Sequence, residues 1–279
     1  MGVLIIFFIL NKKMEDIKQH TKYLKSHGFT ILENFLNKEE IIHYKELIDT
    51  YFAGGKNRCI GYTKSPTSTL KPDGINNPHF EPMKGIFSNP RLIEVIKKIT
   101  DNKIRYVHHF DIHLNMPGAK GWHSDVQNIY YDGGKHYTKD KGGVWEEEGE
   151  KYGIYRIAIY LQDHINGGGF SVIPASHSIP ENEDKLYNNI NIDQFESPFH
   201  IPSKAGDCII FDARLLHKGE QYNGDRYAIF TAIGADNGHS KGHARGAIDR
   251  QIRQNLQGEY ILQPYMKNLL EDLNIKYDY

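Results

Sequence analysis

The chain has 279 residues, 39% hydrophobic and 12% aromatic, with a formal net charge of −1 and a pI near 7.0. It is long enough to bury a core without disulfide staples, too apolar to stay disordered, and too evenly charged for a sequence-independent grip on nucleic acid or an anionic membrane. The two cysteines, Cys59 and Cys208, make neither a disulfide framework nor a zinc knuckle, which fits a reducing, cytoplasmic setting. The outlying count is 15 histidines, and imidazole is the commonest metal ligand.

The apolar run Val3–Leu10 is far shorter than the roughly 20 residues of a membrane span. Lys12 and Lys13 follow it, the reverse of a signal peptide. Residues 1–13 are therefore expected to be a translational extension or leader, with a membrane anchor as the competing reading. A single domain is expected over 14–279. From Met14 an amphipathic helix carries Ile17, Tyr23 and Leu24 and stops at Gly28. Phe29–Phe35 reads as a strand. Asn37 then caps a helix, with Glu40 closing a capping box and Ile41, Tyr44, Leu47, Ile48 and Tyr51 at helical spacing. Residues 53–88 read as a long loop. Asn89-Pro90 opens another helix, striped by Leu92, Ile93, Ile96 and Ile99.

From Arg105 the period changes to two. Phe110, Ile112, Leu114 and Met116 alternate with His109, Asp111, His113 and Asn115, a strand with one apolar and one polar face. Pro117-Gly118 turns the chain. Tyr155–Asp163, Phe170–Ile173, Asp207–Phe211 and Arg226–Ile233 are further strands. Ala244–Leu256 and Pro264–Leu273 read as helices. Short strands after N-terminal helices predict a mainly β jelly roll with helices packed outside.

Histidine-x-aspartate occurs twice, as His109-Phe110-Asp111 and His123-Ser124-Asp125, where this composition yields about one by chance. Ligands two residues apart share a face only on a strand or turn. His217, at the exit of an apolar strand, is the candidate third ligand. Two imidazoles and a carboxylate form the facial set of non-haem iron oxygenases, which leaves coordination positions open.

In order, the pieces are Pro117-Gly118, Trp122-His123-Ser124-Asp125, Ala158–Asp163, Gly168-Gly169-Phe170 through Pro174-Ala175-Ser176-His177, Ala205-Gly206-Asp207, Phe211-Asp212, Leu216-His217 and Arg226. In these residues the chain resembles the phytanoyl-CoA dioxygenase family, among the Fe(II)/2-oxoglutarate oxygenases, over roughly 14–237. The resemblance implies a double-stranded β-helix with flanking N- and C-terminal helices. It also implies one Fe(II) held by His123, Asp125 and His217, because the family's ligand triplet follows the Pro-Gly turn. It implies 2-oxoglutarate and O2 as co-substrates, with ascorbate as a reductant. Arg226 is expected to bind the far carboxylate of 2-oxoglutarate, the planar guanidinium donating two parallel hydrogen bonds.

In ectoine-hydroxylase-like relatives an Asn near position 113 contacts 2-oxoglutarate, so His113 is expected to do so here, with Asn115 as the alternative register. His109, Asp111 and Trp122 are candidate substrate contacts. Many relatives carry a hydroxyl residue two positions after the distal histidine. Gly219 stands there instead, leaving Thr231 or Tyr160 to assist Arg226. His177 reads as structural, with Ala175 where the family's turn has glycine, and His239 and His243 read as loop polarity. The insertion at 126–153, rich in aromatics, is expected to be a lid.

The expected activity is hydroxylation of an unactivated C–H of a small organic molecule, with release of succinate and CO2. Halogenases of the superfamily lack the ligand carboxylate, so Asp125 favours hydroxylation over halogenation. The alternatives are a catalytically silent jelly-roll binding protein and a cupin-like metal isomerase or hydrolase, neither of which needs Arg226. No partner beyond the small molecules is indicated, and no oligomeric state.

Overall fold

The structure is a computed structural model. It describes residues 17–53, 58–60, 74–116, 118, 121–125, 131–132, 135–136, 146–147, 150–151, 153–178, 197–255 and 261–278. The expectations for residues 1–13 and most of 126–153 lie outside these. Within the insertion the described pieces are two short hairpins, Tyr131–Asp132 with Lys135–His136 and Glu146–Glu147 with Glu150–Lys151.

The architecture is two antiparallel sheets with flanking helices, a jelly roll without a closed barrel among the described residues. The larger sheet uses β1 (Phe29–Leu32), β2 (Arg58–Ile60), β3 (Ile104–Leu114), β4 (Ile154–Tyr160), β7 (Cys208–Asp212) and β9 (Tyr227–Ala235). Their order is β1-β7-β4-β9-β3-β2. The smaller sheet has β5 (Phe170–Val172), β6 (Phe199–Ile201) and β8 (His217–Gly219) in the order β6-β5-β8. Three-residue strands such as β6 and β8 are too short to display a period, which is why the sequence does not announce them.

Strand alternation sorts the side chains into two cores. Tyr106, Phe110, Ile112 and Leu114 of β3 join Ile157 and Ile159 of β4 and Ile210 of β7 against the helical layer. That layer comprises α1 (Ile17–His27), α2 (Lys38–Phe52) and α3 (Pro90–Ile99), with Leu24, Ile48, Leu92 and Ile96 fully or almost fully buried. Between the sheets lie Phe29, Ile31, Ala158, Tyr160, Phe170, Val172, Ile209 and Phe211. Each large aliphatic side chain buried this way contributes about 1.5–3 kcal/mol.

Local signals produce the helices. The Asn37 side chain accepts from Glu40 N and the Glu40 carboxylate accepts from Asn37 N, both at 2.8 Å. These satisfy two of the amide donors that a helix start leaves bare. Pro90 sits in the first turn of α3, where its missing N–H costs nothing.

Two expectations need correction. The loop over 53–88 carries strand β2 and, from 74 to 88, consecutive helical turns that bury Ile75, Phe80, Met83, Ile86 and Phe87. Prolines 78 and 82 break these into pieces too short for a helical stripe to be read. The second concerns α4 (Gly238–Asn255), which starts before Ala244 and carries His239 and His243 as buried helix residues, not loop polarity. Its face is small (Val107, Ala232 and Ala244 pack together), so no large apolar stripe advertises it. The last helix is α5 (Pro264–Asp272).

A bulge in the β3–β9 pairing, between Thr231 and Ile233, surrounds His108. His108 is fully buried with φ 54 and accepts a hydrogen bond from Asp278 N. Burial, aided by the Arg105 charge, lowers its pKa from 6.5 to about 3. The unfolded chain therefore gains this proton first as pH falls. Stability from neutral His108 is complete above pH 6.5 and declines from there toward pH 3, by about 2 kcal/mol at pH 5. Urea midpoints at pH 7.5 and 5.0 measure the effect. His108→Asn, which tolerates a left-handed backbone, should shrink the difference by that amount; an unchanged difference would contradict the assignment.

Candidate metal centre

His123 attaches to the outer edge of the smaller sheet. His123 N donates to His217 O at 3.0 Å and His217 N donates to His123 O at 2.9 Å. This single bridge sets the two imidazoles side by side, with ring centroids 4.3 Å apart. Asp125 N donates to Ala213 O at 2.8 Å, fixing the carboxylate's backbone against the loop that leads into β8. Asp125 Oδ1 then lies 4.0 Å from His123 Nε2 and 3.8 Å from His217 Nε2. One donor atom from each of the three residues lies within 4.8 Å of the others.

Hydrogen bonds on the far ring nitrogens orient the ligands. His123 Nδ1 lies 3.0 Å from Gly121 O, and His217 Nδ1 lies 2.8 Å from Leu215 O. A carbonyl only accepts, so each Nδ1 carries the proton and each Nε2 presents its lone pair toward Asp125. Burial, with His123 beside it, lowers the His217 imidazole to about 4, keeping it neutral at pH 7. Burial acts to raise the Asp125 carboxyl. Arg156 and the neighbouring imidazoles outweigh it and hold the group well below the usual carboxylate range. The donor set therefore presents two imidazole nitrogens and one anionic oxygen, which suits a divalent first-row ion.

Gly118 is what lets the triplet dock. A Cβ there would fall on the carbonyl oxygens of Gly219 and Glu220, 2.5 Å from the latter, and 2.7 Å from Glu220 C. These are backbone atoms at the end of β8 and in the residue after it, so they cannot yield as a side chain would. Gly118→Ala is expected to cost about 1–3 kcal/mol and to separate His123 from His217. Metal affinity would fall with it; a variant that melts and binds metal like the parent would refute the contact.

Arg226, immediately before β9, is 6% exposed. Its Nη1 donates to Met116 O at 2.9 Å and its Nη2 to Tyr160 OH at 3.2 Å, while Nε has no hydrogen-bond partner among the described residues. No carboxylate pairs with it among the described residues. A buried guanidinium with a bare donor and no counter-charge is costly on its own and fits an incoming carboxylate such as that of 2-oxoglutarate. Of the two candidates for assisting it, Tyr160 makes the contact. Thr231 Oγ1 instead donates to His109 O at 2.7 Å. Asn115 is occupied with Arg226's own backbone, accepting from Arg226 N at 2.6 Å, so it braces the arginine.

The polar face of β3 points to the side opposite the helical core. His113 packs edge-on against Phe230 at 5.0 Å, and burial lowers its pKa to about 4. His109 Nε2 lies 2.9 Å from Asp111 Oδ2, both residues buried. His109 is near enough to Asp125 to act on its titration, and Arg226 to act on that of His113. The structure thus gathers His123, Asp125, His217, Arg226, His113 and His109 with Asp111 into one region. Trp122 lies at its margin, its partly exposed ring facing Lys218 Nζ at 5.0 Å. His177 is remote from the ligands' chemistry, with Nε2 3.2 Å from Lys25 O, and Ala175 adopts φ 62 where a glycine would sit without strain. Arg156 was not among the expected residues. The available signal was a charged side chain in phase with Ala158 and Tyr160 on the inward face of a core strand.

Sheet topology, ligand set and buried arginine together define the class, an enzyme of the iron- and 2-oxoglutarate-dependent oxygenase superfamily. A family model described as Phytanoyl-CoA dioxygenase (PhyH) matches residues 24–228, and the chain belongs to that family. No curated protein matches the chain. Among solved structures it is similar to the non-haem α-ketoglutarate-dependent epimerase SnoN of nogalamycin biosynthesis (13% identity, TM-score 0.57, 78% of this chain and 83% of that one). It is similar to HygX from Streptomyces hygroscopicus with nickel and 2-oxoglutarate bound (14%, 0.55, 78% and 87%). A third is the carbocyclase SnoK of nogalamycin biosynthesis (13%, 0.52, 78% and 83%). No helix among the described residues is long and apolar enough to cross a membrane.

Proposed function

We propose that the protein hydroxylates an unactivated C–H bond of a small organic molecule, using Fe(II), 2-oxoglutarate and O2. The observation that carries this reading is the pairing of the His123–Asp125–His217 donors with a buried arginine that has no carboxylate partner among the described residues. A silent binding protein or a metal isomerase needs no such arginine.

The residues divide the work as follows. His123 Nε2, Asp125 Oδ1 and His217 Nε2 hold the ion. Arg226, braced by Tyr160, Met116 O and Asn115, takes the far carboxylate of 2-oxoglutarate, and His113 flanks it as a neutral imidazole. When bound, iron would allow O2 to act as the oxidant, one oxygen atom going to 2-oxoglutarate as it becomes succinate and CO2 and the other to the substrate C–H. The chain itself orients, and it excludes water with Phe230, Tyr160 and Phe170. The His109–Asp111 pair presents polar atoms for a substrate hydroxyl or amine, with Trp122 at the edge.

The test is a metabolite screen for succinate release, with mass analysis of the product. Hydroxylation adds one oxygen atom. An unchanged mass indicates epimerisation and the loss of two hydrogens indicates ring closure or desaturation, and either would replace the hydroxylase reading. Succinate release that does not depend on any added metabolite leaves the class intact and means the substrate class screened is wrong.

A further inference from the structure

We infer that Arg156 is a positioning residue that holds Asp125 as a one-oxygen ligand; this rests on the reading of His123, Asp125 and His217 as the metal ligands. The two oxygens of Asp125 face different partners. Oδ1 is the atom 3.8 Å from His217 Nε2 and 4.0 Å from His123 Nε2. Oδ2 lies 2.8 Å from Arg156 Nε, in an ion pair. The Arg156 side chain is only 7% exposed.

Arg156 is also poorly able to move. It lies in β4, at the centre of the larger sheet, with Phe211 of β7 opposite on one side and Ala232 of β9 on the other. Its guanidinium thus reaches the carboxylate from a strand paired along both edges, while Asp125 sits on a short segment held, among the described residues, by one bridge and one further backbone hydrogen bond.

The consequence concerns open positions. A carboxylate can bind a metal through one oxygen or two. In a six-position site, three single-atom ligands leave three positions, enough for a two-point co-substrate and one more small molecule. If Asp125 chelated through both oxygens, one of those positions would be lost. The Arg156 ion pair at Oδ2, at 2.8 Å, competes with a metal for that second oxygen, and fixing a metal ligand from behind is what outer partners of metal sites do. Arg156 therefore preserves room for 2-oxoglutarate without touching it.

The first test uses the unmodified protein loaded with Ni(II), which stands in for Fe(II) in air. A crystal structure should show one Asp125 oxygen on the ion and the other within hydrogen-bond distance of Arg156 Nε; both oxygens on the ion would overturn the inference. The second uses Arg156→Gln and Arg156→Lys, measuring Ni(II) affinity by chelator competition and 2-oxoglutarate affinity of the loaded protein by calorimetry. In Arg156→Gln the loss of 2-oxoglutarate affinity should exceed the loss of Ni(II) affinity by about tenfold, and Arg156→Lys should recover most of it. Equal losses, or no loss, would overturn the inference. Where Arg156→Gln does not fold, the wild-type coordination decides alone. Failure of the unmodified protein to bind Ni(II) would be a different result, refuting the ligand set itself.

Discussion

His217→Ala is expected to reduce bound Fe(II) from about one per chain to background, a loss of at least about 100-fold in affinity. The variant removes one of three donor atoms and leaves the other two spaced about an empty corner. The main-chain bridge to His123 does not depend on the side chain, so the sheet edge should persist. His217 is nonetheless 5% exposed and packs against Phe170 and Phe211, with ring centroids 5.1 and 4.9 Å away. Truncation to alanine therefore also opens a cavity, costing about 2–4 kcal/mol of stability. His217→Gln keeps most of the volume and separates the two effects. Iron content measured on folded protein decides the matter, and unchanged occupancy in either variant would refute the assignment.

Arg226→Ala is expected to behave in the opposite way. Metal binding should stay near that of the parent, while 2-oxoglutarate affinity falls by about 100-fold, equivalent to about 3 kcal/mol. The guanidinium supplies the positive charge and the bare Nε, and nothing else among the described residues replaces it. Tyr160→Phe removes only the 3.2 Å brace on Nη2 and should cost about 3–10-fold, as an ordinary hydrogen bond does. Calorimetric titration of the metal-loaded variants measures both. If Arg226→Ala bound 2-oxoglutarate like the parent, the buried arginine would have another purpose.

Much of this arrangement is readable before any coordinates. Asn37 with Glu40, and Asn89 with Pro90, carry their helix starts in a few residues, because capping is local chemistry. The two faces of β3 follow from alternation alone, which places His109, Asp111 and His113 away from Phe110 and Ile112. What the chain does not announce is long-range pairing. His123 and His217 are brought together by one bridge across 94 residues, and only their order among the resemblance's pieces pointed to them. Arg156 is not legible, because a charge inside an apolar strand gives no partner's address. The early part of α4 is not legible either, because glycine, histidine and alanine bury well at close approach yet form no conspicuous stripe. The helical turns over 74–88 escape the pattern because two prolines cut them below the length at which a period shows.

The histidine count that stands out in the composition is likewise resolved by structure. Two imidazoles face Asp125. His109 is paired with Asp111, while His113 meets Phe230. His108 sits neutral in a bulge, and His239 and His243 lie buried in a helix. Abundance was a weak guide; position on the sheets separates the ligand histidines from the rest.

The most direct test of the account is anaerobic titration of the apo protein with Fe(II) and then 2-oxoglutarate, followed in the visible range. The account predicts a weak metal-to-ligand charge-transfer band that appears only when both are present, saturates at one equivalent of iron per chain, and is lost in His217→Ala. Folded protein that develops no band at saturating Fe(II) and 2-oxoglutarate would contradict it.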